Sequence, residues 1–506
     1  MNSNLYKLFK SSVRDQSDVA IEWVDGATYS YSHLDEMAAR YANLFTGLGL
    51  KKGDRVAAQV DKSPENLFLY LACVRAGLVY IPLNVAYTFV ELDYFFENAE
   101  PSVMVCQAEN EVEMCEFVRG HASVRHVFAL DADGGGGLTD AAADEGTKFA
   151  PVVCGKDDLA VMVYTSGTTG RPKGAMVTHG NLAANACALH ESWGFREGDV
   201  LLHALPVFHV HGLFVACHTT WLNGSKMILL PRFDVEDVIH RLPDATVYMG
   251  VPTNYVRLLA DPTFTADLCQ KMRLFTCGSA PLLESTFREF RMRIGHVIVE
   301  RYGTSETGMN TSNLYGGLCR AGTVGQPLPG VEIKIVGDDD EELTRGETGH
   351  LLVRGDNVFP GYWRLPERNK EFFTADSFFR TGDLATMDSR DWVTIVGRSK
   401  DLIITGGLNV YPKEVEACID NLDGVKESAV IGLPNVDFGE AVTAIVVRDT
   451  DGPNILDAEV IAKTRESLAG FKVPKQVFFV DELPRNAMSK IQKNVLREMF
   501  HARQEC

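Results

Sequence analysis

No apolar run in this chain is long enough to cross a membrane. The longest, "LFLYLACVRAGLVYIPL", is interrupted by Arg75, Gly77 and Pro82. Basic residues are in deficit: 49 against 68 acidic ones give a net charge of −19, which argues against a general nucleic-acid or acidic-membrane surface. The 11 cysteines are odd in number and include no C-x-x-C pair, so a disulfide framework is not indicated and a reducing, cytoplasmic setting is expected. There is no internal repeat, and no Walker A loop, since nowhere does Gly-Lys-Ser/Thr close a glycine-rich turn. A separate targeting segment is also not expected. "MNSNLYKLFKSSVRDQ" places Leu5, Leu8 and Phe9 at helical spacing and leads straight into "VAIEWVDGATYSYSHLDEMAARYANLF".

What remains is 506 residues with 45% hydrophobic content, too long for one ordinary core and rich enough to fill at least two. Short β-branched runs alternate with helical patterns: "RVAAQV", "SPENLFLYLACVRAG", "VYIPLN", "TFVELDYFFENAE", "SVMVCQ". Such alternation predicts an α/β fold with largely parallel sheet. "DADGGGGLTDAAADEG" has no periodicity and is expected to be a surface loop. From about residue 320 closely spaced strands and turns predict a β-rich subdomain ending near "GRSKDLIITGG". Beyond it, "YPKEVEACIDNL", "VKESAVIGL" and "AVTAIVVR" form a compact segment of their own.

Residues 161–174, "VMVYTSGTTGRPKG", run from an apolar strand into glycines, hydroxyls and Lys173. Tight glycine turns bring backbone N–H groups to an anion, and hydroxyls and an ammonium add donors, so a polyphosphate cradle is the natural use. The ordered string "YTSGTTGRPKG" resembles the signature of the adenylate-forming superfamily of acyl- and aryl-CoA synthetases, luciferases and peptide-synthetase adenylation domains. The resemblance continues in the family's order through "GSAPL", "ERYGTSE", "RTGDL", "GRSKDLIITGGLNVYPKEVE" and "LPRNAMSK". It implies a large N-terminal multi-subdomain α/β domain (1–397), a hinge at 398–400 and a small mobile α+β C-terminal domain (401–506). It also implies activation of a carboxylate by ATP to an acyl-adenylate, followed by displacement of AMP by the thiol of CoA.

Specific roles follow from the same resemblance. Lys490 is expected to hold both anions and stabilise the pentavalent transition state, although Ser489 stands where the family usually has glycine. Glu306, with Thr165, is expected to hold Mg²⁺. Ser166, Gly167, Thr168, Thr169, Gly170 and Lys173 would cradle the phosphates. Asp383 and Arg398 would meet the ribose, Tyr302 the adenine face, and Gly278, Ser279, Ala280 and Pro281 the opposite wall, with Glu300, Gly303 and Thr304 completing the nucleotide contacts. Lys400 falls at the hinge, Gly406 and Gly407 would leave room for pantetheine, and Lys472 is a candidate for the CoA phosphates. The implied partners are small molecules, with neither nucleic acid nor membrane.

Polar residues at the expected acyl pocket narrow the acid. Arg301, His209 and Ser279 converge there, and together "ERYG", "FHVHG" and "CGSAPL" are most similar to malonyl-CoA synthetases. A buried guanidinium pairs bidentately with a second carboxylate, and a missing partner costs roughly 3–5 kcal/mol. Methylmalonate is expected to be accepted as well, because a methylene's worth of fit is worth only about 1–3 kcal/mol. Arg301 could instead pair internally with Glu300, Arg257 could be a wall residue or a helix-surface cation, and His203, His209, His211 and His218 invite a zinc reading that lacks a supporting cysteine pair. The alternatives are a CoA synthetase for another short-chain or aryl acid, an adenylation enzyme that loads a carrier protein, and a nucleotide-binding protein without catalysis.

Overall fold

A computed structural model describes residues 2–165, 172–405, 408–435, 439–450, 452–486 and 490–504. Two largely parallel sheets form the body of the large domain. In one, Arg55–Gln59, Val79–Pro82, Val103–Cys106 and Leu159–Thr165 are buried almost throughout, as continuous apolar strands covered on both faces must be. In the other, Val200–His203, Val247–Gly250, Leu274–Cys277 and Ile298–Thr304 run parallel side by side.

The interrupted apolar run of the sequence is a buried helix followed by a strand. Pro64–Ala76 is capped by the Ser63 hydroxyl, which accepts from the Asn66 N–H, and stops at Gly77 in the left-handed conformation (φ 69°). Every residue of this helix except Glu65 is buried, so it is apolar all round rather than amphipathic. Tyr70 on it stacks with His218 and Trp221, which ties the helix to the second sheet's layer. The N-terminal residues form the helix Leu5–Ser12, with Leu5 and Phe9 buried, as their spacing predicts.

One expectation is corrected. Within 131–146, Gly137–Ala142 form a short helix whose Leu138 and Ala142 are buried, and Thr139 meets Tyr41 at 3.3 Å. A six-residue helix shows too few turns for periodicity to reveal it.

The β-rich subdomain is an antiparallel sheet of Val331–Val336, Gly349–Gly355, Phe379–Met387 and Val393–Arg398. The chain then turns through Ser399–Asp401 into a small domain. There the hairpin Val425–Asn435/Gly439–Arg448 is flanked by Gln476–Val480 and packed by helices Pro412–Asp420, Asp457–Ser467 and Lys493–Gln504. Lys413 Nζ donates to the Ile395 carbonyl (2.8 Å), which joins this domain to the strand that precedes the turn, and Arg497 pairs with Asp401 on the turn itself (2.8 Å).

Candidate active site

Strands of the second sheet end together near Cys277 and Glu300, where open α/β sheets form their crevices, and Thr165 from the first sheet and Asp383 and Arg398 from the antiparallel sheet join the motif residues there. Four groups of side chains meet there.

At one end Thr165, the last residue of its strand, donates its hydroxyl to Glu306 Oε1 (3.2 Å), and Tyr362 Oη donates to the same oxygen (2.9 Å). Oε2 has no hydrogen bond among the described residues, so the carboxylate is oriented yet keeps an oxygen for a cation. One carboxylate and one hydroxyl suit a magnesium ion that takes its other ligands from substrate phosphates and water. Lys173 is buried with its ammonium over the rings of Tyr362 (5.0 Å) and Phe372 (4.5 Å); burial and Arg368 push its pKa down. Ser166, Gly167, Thr168, Thr169 and Gly170 lie outside the described residues.

Next to it, the buried Asp383 carboxylate accepts from Tyr302 Oη on Oδ2 and forms an ion pair with Arg398, whose Nε lies 2.7 Å from Oδ1. Burial raises its pKa, against the pull of Arg398. Each oxygen retains a lone pair, so the ribose position predicted for Asp383 stays chemically available. Glu300 is 5% exposed and accepts from the Leu282 N–H (3.2 Å). Burial lifts its carboxyl to about 7, opposed first by Lys413 reaching across from the small domain. Gly303 abuts the Gly308–Met309 backbone too closely for any side chain, and Thr304 meets Thr307 at 3.1 Å.

At the other end Arg301 is 3% exposed, and its Nε and Nη2 have no hydrogen-bond partner among the described residues. No ion pair joins it to Glu300 among those residues, so the internal-pair alternative is not what the structure has. Its guanidinium lies across Gly278, where a Cβ would overlap it. Ser279 adopts φ 72°, unusual for a residue with a side chain, and its Oγ sits 3.3 Å from His211 Nδ1. Ala280 and Pro281 follow toward the surface. The Nε2 of His211 is buried without a partner. His209 accepts the His211 N–H on Nδ1 (3.2 Å). Burial first, and then the neighbouring cations, hold both histidines well below the usual imidazole range, so they act as neutral donors and acceptors while Arg301 carries the charge.

Lys490 belongs to the small domain. Its side chain is solvent-accessible, yet the crowded cleft lowers its pKa, and Arg398, Asp383, Glu306 and Arg301 all act on it. Both the carboxylate of Glu306 and the guanidinium of Arg301 are thus within electrostatic reach of it. Lys400 is exposed on the Ser399–Asp401 turn. Lys472 is bound by Glu414 (2.6 and 2.8 Å) rather than free in solvent. Gly406, Gly407 and Ser489 lie outside the described residues.

Arg257 is exposed on the helix Pro252–Ala260, which is the helix-surface alternative. The histidines do not form a metal centre: among the described residues no three His, Cys, Asp or Glu side chains converge. His209 and His211 are not an alternating strand pair either. The segment bends after Val200–His203 and enters a π-helix, His211–Cys217, of the kind often found at functional sites. Sequence reasoning places His211 at the pocket wall beside His209 without a role for it, and it misses Tyr362 and Lys413, for which no local pattern gives a signal.

Residues 8–363 match the AMP-binding enzyme family and residues 414–490 match the AMP-binding enzyme C-terminal domain. The chain belongs to the AMP-binding enzyme family, within the adenylate-forming superfamily. It is 51% identical to MatB from Rhodopseudomonas palustris, and superposes on the ATP-bound crystal structure of that protein with a TM-score of 0.96 over 99% of both chains. The apo form of the same protein gives 0.87. Two further relatives are a feruloyl-CoA synthase of Amycolatopsis, 35% identical over 94% of each chain, and a malonate–CoA ligase of Arabidopsis thaliana, 32% identical over 98% of this chain and 89% of the other.

Proposed function

We propose that this enzyme joins malonate to CoA through a malonyl-adenylate, consuming ATP and releasing pyrophosphate and then AMP. One observation carries the choice of acid: a buried guanidinium with two unpartnered nitrogens at the acyl end of the cleft. A monocarboxylate leaves that cation unpaired after it enters. Malonate brings one carboxylate for the chemistry and a second for Arg301, in bidentate geometry that suits a guanidinium fork. His211, neutral and aimed at the same place, supplies a further donor, and Ser279 fixes its ring.

Lys490 holds the reacting carboxylate and the α-phosphate together and offsets the charge that builds between two anions. Asp383 accepts from the ribose, with Arg398 and Tyr302 holding its carboxylate. Glu306 and Thr165 would hold a magnesium ion, which supplies neutralisation of phosphate oxygens when bound. The position of Lys490 suits the first half-reaction, a reading supported by the greater likeness to the ATP-bound than to the apo relative. Attack by the CoA thiol needs that space vacated, so the small domain rotates about 398–400, with Gly406, Gly407 and Lys472 brought toward CoA.

Pyrophosphate and AMP release across acetate, propionate, ferulate, malonate, methylmalonate and succinate, with and without CoA, tests this. Malonate should exceed acetate and propionate by at least about a hundredfold in kcat/KM, as a missing buried partner of roughly 3–5 kcal/mol requires, with methylmalonate accepted. Equal use of propionate overturns the reading.

A further inference from the structure

Behind the acid pocket lies a buried lysine that the mechanism above does not use. Lys62 is 8% exposed and has no carboxylate partner among the described residues. Its Nζ stands 2.8 Å from His203 Nδ1 and 2.9 Å from the His203 carbonyl. The other ring nitrogen of His203, Nε2, is 2.9 Å from the carbonyl oxygen of Gly212. A carbonyl only accepts, so Nε2 carries the hydrogen; the ring is buried and neutral, so Nδ1 presents its lone pair to Lys62. Lys62 thereby holds the His203 ring and backbone in place, and the Nε2–H of His203 anchors Gly212.

Gly212 is the second residue of the π-helix, and its Cα is so close to the Pro206 carbonyl that any side chain would collide. Its backbone is thus held from two sides. The residue before it is His211, whose Nδ1 faces Ser279 and whose Nε2 has no hydrogen-bond partner among the described residues, with the Arg301 charge acting on the ring. In a π-helix the backbone ladder is already irregular, so an added side-chain bond on a first-turn carbonyl sets the register of the turn.

We propose that Lys62 is a positioning residue for acid recognition: acting through His203 and the Gly212 carbonyl, it sets the imidazole of His211 against Ser279 and Arg301. The inference rests on the malonate reading of that pocket. It places a specificity determinant in a part of the chain remote from every motif that binds nucleotide.

The test compares wild type with Lys62→Met, which keeps length and loses the donors, and Lys62→Gln, which keeps a donor without the charge. Lys62→Met should raise KM for malonate at least tenfold and shrink the malonate-to-propionate ratio by a similar factor, with KM for ATP within twofold. Its unfolding midpoint should stay high enough for the variant to be folded at the assay temperature, because the hydrogen bonds lost to His203 are offset by removal of a desolvated amine. Lys62→Gln should recover part of the malonate affinity, and ¹⁵N NMR of His203 should show Nδ1 unprotonated in wild type, with its resonance shifted in Lys62→Met by loss of the donated hydrogen bond. A malonate KM and selectivity within twofold of wild type overturns the proposal, as does an equal kcat loss for every acid. Failure of both variants to fold would assign Lys62 to the fold alone and likewise overturn it. A wild type without malonate preference removes the pocket reading; a preference untouched by Lys62→Met removes only this inference.

Discussion

The guanidinium of Arg301 rests on Gly278, and the two residues come from neighbouring parallel strands whose ends are in register, Cys277 opposite Glu300. Glycine at 278 is therefore a condition for where the charge sits. In Gly278→Ala the methyl must displace the guanidinium, a strain of about 1–3 kcal/mol. KM for malonate should rise roughly tenfold while KM for ATP moves less than threefold. Steady-state kinetics with each substrate varied in turn checks this, and an unchanged malonate KM would show that Arg301 does not read the acid.

Replacing the cation itself separates affinity from stability. Arg301→Ala should lower kcat/KM for malonate by a hundredfold or more and leave propionate turnover nearly unchanged. The unfolding midpoint should hold or rise, because a buried group without a counter-ion is a cost to the folded chain. Arg301→Lys should recover little, since an ammonium lacks the planar fork. Kinetics and thermal unfolding on the same preparations distinguish these outcomes.

Glu300 predicts a pH signature. Its carboxyl is raised by burial from 4.5 to about 7, so the folded protein keeps a proton there that the unfolded chain has already lost. Stability should fall as pH rises through that window and level off above it, by up to roughly 3 kcal/mol. Glu300→Gln should flatten the slope, as read from urea midpoints measured across the window. Identical slopes in the two proteins would sink this assignment.

Lys490 should divide the reaction. Lys490→Ala should abolish malonate-dependent pyrophosphate release by about a thousandfold or more, and leave thioester formation from added malonyl-adenylate within a few-fold of wild type, because the second step requires the lysine elsewhere. Loss of both halves to the same extent would contradict a role confined to the first.

Much of this was legible beforehand because adenylate chemistry draws on contiguous strings: the strand ending at Thr165, the turn holding Tyr302 and Glu306, and Asp383 opposite Arg398. The α/β alternation also survives folding, since strands buried on both faces are marked by their own composition. What stayed hidden depends on distance or register. Lys62 and His203 are 141 positions apart. The Lys413 contact with Ile395 joins two elements that no local pattern relates. The role of His211, though not its place at the pocket wall, was obscured differently, because a π-helical turn follows neither the two-residue nor the 3.6-residue period.

That Arg301 has no internal counter-ion among the described residues has a consequence for the lifetime of the chain. Any dianion that pairs with it binds the folded form and not the unfolded one, and shifts the unfolding equilibrium by mass action. Two further outlets for the same free energy are resistance to proteolysis and to heat, both of which should grow with malonate and not with propionate. Supply of the acid would then govern how much of this enzyme persists as well as how fast it works.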